Sequence, residues 1–205
     1  GWLLLELHEY ERLAQFLGNL RIMEILCIQS DYDFMRLWSH LEQNNFKYFD
    51  HYAKSFKAEG VDITGQDKDG RAKSLEILLL QPALADVLLL FLETLLTRSL
   101  DYKSIPIIEI LCSYYQQTNQ PKKLIALYIK YASVLIAISE IEEAEKNTNM
   151  AFDLLTEEPD LNLLLNAYTR AGDIALNKNH LTAAMTAFST AFDLAKQTKN
   201  EKDIE

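Results

Sequence analysis

Apolar residues recur every three or four positions along almost the whole chain, and no convincing run alternates between apolar and polar residues. This spacing places apolar side chains on one face of an α-helix, so the sequence predicts an all-α protein. The first four expected helices carry these residues: Tyr10 to Leu17 in the first, closed by Gly18 and Asn19; Ile22, Ile25 and Leu26 in the second; Phe34 to Leu41 in the third, with Asp31 as N-cap; and Phe46, Phe49, Tyr52, Ala53 and Phe56 in the fourth.

The pattern stops between Glu59 and Gly70, a stretch that contains three of the six glycines. Glycine-rich polar stretches are typical of loops. The sequence therefore predicts an N-terminal helical linker or capping region over 1–58, a loop over 59–70 and a C-terminal helical region over 71–205. In that last region the periodicity predicts helices over 72–80, 83–97, 104–117, 122–138, 141–156, 161–177 and 181–198.

Short connections between helices of this length are typical of stacked antiparallel hairpins. Three hairpins are expected, over about 83–118, 121–158 and 161–198, and the charged final run 199–205 suggests that the array continues. In the last hairpin Gly172 and Ala184 are expected where the two helices cross, with Phe188 filling the space between them. The middle hairpin repeats this frame 40 residues earlier, with Ala144 in the place of Ala184. A generic helical hairpin with small residues at its contact explains the same pattern.

The last hairpin reads Tyr168-x2-Ala171-Gly172-x2-Ala175, followed by Ala184-x3-Phe188-x2-Ala191. This resembles the signature of tetratricopeptide (TPR) repeats. The resemblance implies a right-handed solenoid of stacked antiparallel hairpins. The sequence departs from the signature at Ala171, where leucine is usual, at Ala175, where tyrosine is usual, and in having no proline at the repeat end.

The opening segment contains Trp2-Leu3-Leu4-Leu5-Glu6-Leu7, then Phe16-Leu17, and ends at Arg36-Leu37-Trp38. It resembles the linker that joins the nucleotide-binding core of STAND-type NTPases, including nephrocystin-like ones, to their C-terminal TPRs. The resemblance covers residues 2 to about 45 and implies a segment of a larger signalling protein. No Gly-x4-Gly-Lys-Ser/Thr phosphate-binding loop occurs in the chain, so no nucleotide site is expected in it.

The charge composition excludes some classes of binding partner. The 20 Lys and Arg against 30 Asp and Glu give a formal net charge of -10, which argues against nucleic acid and anionic membranes as partners.

No apolar stretch approaches the roughly 20 residues of a membrane span. The chain opens without the features of a signal peptide. Two cysteines, Cys27 and Cys112, fit free thiols in a reducing compartment. A cytoplasmic location is therefore expected.

No catalytic residue, cofactor or metal is predicted, and the chain is expected not to be an enzyme. The four histidines are scattered without an HExxH pattern, and Gly-x-Ser-x-Gly is absent from the sequence. One local pattern, Asp67-x-Asp69-Gly70-x5-Glu76, matches the second part of a calcium loop. Its first position would be Gly65, which offers no carboxylate, and an Asp-rich turn before a helix is the alternative.

The TPR resemblance implies a peptide-binding surface on the first helix of each hairpin. The positions are Asn166, Thr169, Asp173 and Asn177 in the last hairpin, and Ile129 and Ser133 in the middle one. Lys and Arg are missing from this set, which favours an apolar or basic protein or peptide ligand, or a neighbouring segment of the same protein. The expected function is a scaffold and sensor of a STAND-like protein; the alternative is a regulatory domain that binds a signalling peptide.

Overall fold

The computed structural model describes the backbone of residues 1–67, 69–98 and 101–202. Within these ranges every regular element is an α-helix and there is no strand, which confirms the predicted all-α class. The helices are α1 Trp2–Glu6, α2 Tyr10–Leu17, α3 Leu20–Gln43, α4 Tyr48–Ala58, α5 Gly70–Leu80, α6 Pro82–Thr97, α7 Asp101–Gln117, α8 Pro121–Ala137, α9 Ile141–Glu157, α10 Leu161–Asn177 and α11 Leu181–Lys202. Among them no single helix is long and apolar enough to cross a membrane; α5 and α6, bent by 120°, meet the length and composition criterion only as a pair.

The chain divides into two compact units, Gly1–Thr97 and Arg98–Glu205. The loop expected to separate the regions, 59–70, therefore lies inside the first unit. Helices α6 and α7, which were expected to pair as the first hairpin repeat, fall into different units. Two of the three expected hairpins, α8–α9 and α10–α11, lie whole within the second unit.

An aromatic cluster forms the core of the first unit. Helix α4 contributes Tyr48 and Tyr52, which are buried against Trp38 of α3 with ring centroids 5.1 Å and 5.6 Å away. Phe91 of α6 joins them, 4.9 Å from the Tyr52 ring. Phe91 thus ties α6 into the core of the first unit.

The loop after α4 is tied to the same unit. Val61 and Ile63 are 0% exposed, and the backbone N–H of Asp62 donates to Ser74 Oγ on α5 at 2.8 Å. A loop that buries two β-branched side chains does not act as a linker, although its glycines resemble one.

The second and third expected helices are joined end to end as α3, with a break at Ser30, where φ is -163° and ψ is 85°. Ser30, not Asp31, caps the second half of α3: its Oγ accepts from the backbone N–H of Asp33 at 3.3 Å and donates to the Asp33 carboxylate at 2.9 Å. The predicted cap was wrong by one residue. Asn19 caps the first half, its side chain accepting from two backbone N–H groups.

In the second unit each helix packs on the next, and α8 also packs on α10. Three of the connections are the same tight turn, whose middle residue has positive φ: Asn119 at 51°, Ser139 at 67° and Asn179 at 59°. In each turn the following N–H reaches back to a carbonyl five residues earlier, as in Glu140 N–H to Leu135 O at 2.8 Å. This satisfies the carbonyls at the helix end. Turns of only three residues make consecutive helices antiparallel neighbours.

Candidate functional site

The two complete hairpins bury small residues at equivalent positions. Ala144 and Ala151 of α9 are 0% exposed, and their counterparts 40 residues later, Ala184 and Ala191 of α11, are 1% and 7% exposed. Small side chains permit close helix approach, and α8–α9 and α10–α11 bury them at the same two positions of the second helix. The sequence predicted small residues at the helix contact at Ala144 and Ala184, and both are buried.

Gly172 marks the closest approach within the last hairpin. A Cβ atom at this position would lie 2.5 Å from Cε1 and 2.6 Å from Cζ of Phe188. The aromatic ring of α11 thus lies directly against the backbone of α10. Helix α10 also buries Ala167 and Ile174, which the sequence frame had not singled out. Ile174 packs with Ala132 and Leu135 of α8 and Ala144 of α9, which joins the two hairpins.

The predicted binding stripe lies along α10. Asn166 and Asn177 are exposed, and Thr169 and Asp173 are half-buried. Eleven residues separate the two asparagines, which corresponds to about 16 Å along the helix axis. Two of the polar groups bond to their own helix: Thr169 Oγ1 donates to Leu165 O at 2.9 Å, and Asn177 Nδ2 donates to Asp173 O at 2.9 Å.

Asp173 does not present an unpaired negative charge. Its carboxylate lies 2.9 Å from Nη1 of Arg170, one turn earlier, and both side chains are about one-third exposed. The sequence reasoning had counted no Lys or Arg on the stripe because Arg170 falls between the selected positions. The pair supplies a guanidinium next to the asparagines, so the absence of Lys and Arg no longer favours a basic ligand at this surface.

The two predicted positions on α8 are less available. Ile129 is 7% exposed, so little of its side chain can reach a partner. Ser133 is half-buried, and its Oγ donates to Ile129 O at 3.0 Å. On the same helix Tyr131 donates to Glu109 of α7 at 3.2 Å; burial, followed by the nearby Glu109 carboxylate, raises the pKa of Tyr131. Here α8 acts mainly as a structural helix between α7, α9 and α10.

A cavity of about 320 Å³ that the sequence did not indicate lies among α7, α8 and α9. Its walls include Tyr115, Leu124 and Tyr128, with Met150 and Asp153 on the α9 side. Burial raises the pKa of Tyr128, so its phenol stays protonated. The size suits one large side chain or a small ligand. The residues that line this cavity come from three helices, and no local sequence motif links them.

The calcium-like pattern folds as an Asp-rich turn before α5. Asp67 Oδ1 accepts from the backbone N–H of Asp69 at 3.0 Å, and Asp62 Oδ1 accepts from Thr64. Hydrogen bonding to Thr64 and the charge of Lys57 outweigh desolvation and lower the pKa of Asp62. Among the described residues, which leave out 68, 99–100 and 203–205, no three His, Cys, Asp or Glu side chains converge so as to hold a metal ion.

The TPR and STAND relationships rest on the sequence motifs alone. No family model, characterised protein or solved structure matches the chain.

Proposed function

We propose that this chain is a non-catalytic protein–protein interaction scaffold, in which a TPR-like pair of stacked hairpins presents α10 to a peptide ligand. The observation that carries this proposal is the recurrence of buried small residues at equivalent positions, Ala144 and Ala151 in α9 and Ala184 and Ala191 in α11, at a spacing of 40 residues. Repeated hairpins of this kind stack into extended surfaces that serve binding rather than catalysis.

The ligand would contact the exposed amides of α10. An asparagine side chain offers both donors and an acceptor, so Asn166 and Asn177 suit the main chain of an extended peptide. The Arg170–Asp173 pair between them is half-buried and electrically balanced. A ligand with polar main-chain contacts and apolar side chains fits this surface better than a strongly charged one.

The N-terminal motif, with its Trp2 and Trp38, supports placing this scaffold in a larger STAND-type signalling protein, where it would relay partner binding to an NTPase domain. The second candidate function is a regulatory domain of a bacterial type that binds a signalling peptide, because the same exposed amides would hold a short extended peptide. The full-length gene separates the two: a phosphate-binding loop upstream supports the first, and a helix-turn-helix DNA-binding domain supports the second.

The test is capture of a partner by the purified chain and by an Asn166→Ala, Asn177→Ala variant, with captured proteins identified by mass spectrometry. Loss of one specific partner with unchanged urea unfolding is expected, since both side chains are exposed. Asn149→Ala is the matched control, because Asn149 is an exposed asparagine on α9 outside the stripe. Equal capture by the wild type and the double variant contradicts the assignment of the stripe.

A further inference from the structure

The last hairpin contains a cavity of about 220 Å³ among α9, α10 and α11. Four alanines line it: Ala171 and Ala175 from α10, and Ala183 and Ala187 from α11. Its other walls are the buried Thr148 and Ile174 and the polar or charged side chains of Glu145, Asn149, Lys178 and His180. Because alanine has a side chain of one carbon, the helices leave room here that larger side chains would fill. These residues define the alanine cavity.

In the middle hairpin the equivalent space contains a tyrosine side chain. Subtracting the repeat spacing of 40 residues from Ala171 gives Tyr131 on α8. The Tyr131 hydroxyl donates to Oε1 of Glu109 on α7 at 3.2 Å. After burial and Glu109, the Glu143 carboxylate on α9 also raises the pKa of Tyr131. The phenol of Tyr131 therefore lies close to both α7 and α9.

The residues around Tyr131 correspond to walls of the alanine cavity. The same subtraction converts Asn149 to Glu109 and Ala183 to Glu143, and Asn149 and Ala183 both line the cavity. In the middle hairpin this space holds a side chain of α8, even though α10 follows that hairpin. By the same pattern, a helix that followed α11 would leave the alanine cavity open.

The size and the walls of the alanine cavity suit one phenol ring. A cavity of about 150 Å³ is enough to bind benzene, so 220 Å³ also admits a hydroxyl and a methyl group. Asn149 takes the place of the Glu109 carboxylate, and an amide oxygen accepts a hydrogen bond from a phenol. The charges of Glu145 and Lys178 pair with each other at 2.7 Å, which favours an uncharged ligand. Apolar walls with a few polar groups are typical of small-molecule sites.

We propose that the alanine cavity binds a free small phenol with one short para substituent, its ring between the alanines and its hydroxyl at Asn149. This site is separate from the predicted binding stripe of α10. Ala175 is two residues from both Asp173 and Asn177, and side chains two residues apart do not share a helix face. A peptide held by the stripe does not reach the cavity, so the ligand is a separate molecule.

The test is a titration of the isotope-labelled full chain with p-cresol, followed by the chemical shifts of the backbone amides. A dissociation constant of about 0.1–2 mM is expected, with shifts confined to residues around the alanine cavity. Ala171→Tyr supplies the side chain found in the middle hairpin, and Ala187→Leu fills the cavity from α11. Each is expected to weaken binding by about tenfold or more. Ala137→Tyr is the matched control, because Ala137 is an exposed alanine on α8 outside the cavity.

A reciprocal substitution tests the comparison of the two hairpins. Tyr131→Ala is expected to create a second site, so that p-cresol also shifts amides of α7 and α8. The ligand should raise the urea midpoint of this variant more than that of the wild type, because it binds the folded chain at two sites. Toluene, which lacks the hydroxyl, is expected to bind the wild type about fivefold more weakly than p-cresol.

Several results would overturn the proposal. No shifts at about 10 mM p-cresol, or equal affinity for the wild type and both filled variants, would show that the cavity does not bind a phenol. Equal affinity for toluene and p-cresol would show that the hydroxyl is not recognised. A folded Tyr131→Ala variant without a second site would show that the two spaces are not equivalent. Tighter binding of N-acetyltyrosinamide than of p-cresol would assign the cavity to a tyrosine of a peptide and exclude the free molecule.

Discussion

Substituting Gly172 by alanine measures how closely the two helices of the last hairpin approach. The added Cβ would lie 2.5 Å from Phe188 Cε1, about 1 Å or more inside the 3.5–4.0 Å of a favourable carbon contact. Overpacking of this kind costs about 1–3 kcal/mol. Alanine is also a better helix former than glycine by about 1 kcal/mol. The net change expected for Gly172→Ala is therefore a loss of 0 to about 2 kcal/mol.

The substitution has the opposite sign when the ring is removed. In a Phe188→Leu background the contact atoms are gone, so Gly172→Ala is expected to stabilise the chain by up to about 1 kcal/mol through helix propensity. The four proteins form a double-mutant cycle, measured by urea unfolding monitored by circular dichroism, with a coupling energy of about 1–3 kcal/mol. If Gly172→Ala stabilises the wild type as much as it stabilises the leucine variant, the ring moves aside without cost and the close approach is not a structural constraint.

Three further outcomes are expected. Ala184→Leu should cost about 1–3 kcal/mol in urea unfolding, because Ala184 is 1% exposed at the same helix crossing; an unchanged midpoint would mean that the contact is loosely packed. Ser139→Asn should stabilise by up to about 1 kcal/mol, since Ser139 has φ of 67° and the two equivalent turns place asparagine there; a loss of stability would contradict the equivalence of the turns. Burial, with a smaller effect of Asp31, raises the pKa of Cys27 from 9.0 to about 12. In a Cys112→Ser variant, alkylation at pH 8 should therefore be about a thousandfold slower in the folded chain than in urea, and equal rates would show that Cys27 is accessible and ionised.

Periodicity predicted the helices well because it reports a local property, the side of each segment that must be buried. Helices α2 and α10 begin and end at the residues that the pattern indicated, and the small residues at the α10–α11 contact follow from the spacing of Gly172, Ala184 and Phe188. What covers each buried side depends on residues distant in sequence. The first expected hairpin was defined by helix lengths and a polar turn, with few signature residues. The structure shows α6 packed through Phe91 against Tyr52 in the aromatic cluster.

The loop over 59–70 is a second case in which the local sequence did not predict which side chains are buried. Its glycines indicated a loop at a boundary between regions, and positive φ at Gly60 and Gly65 does use their conformational freedom. Composition cannot show that Val61 and Ile63 between them are buried, because that depends on how the loop is held against α5, as by the Asp62 N–H to Ser74 Oγ hydrogen bond. A short apolar segment inside a glycine-rich stretch is therefore better taken as an anchored loop than as a linker.

The sequence predicted which residues of the candidate site share an exposed face, but it did not predict the charge of that face. A step of three or four residues fixes which residues share a helix face, and Asn166 and Asn177 lie exposed as that spacing requires. The net charge of the face depends on ion pairs with neighbouring residues. Arg170 pairs with Asp173, although Arg170 was not among the positions selected by spacing. The two hairpins thus share buried small residues at equivalent positions, whereas the charge of an exposed face depends on individual residues that the shared spacing does not specify.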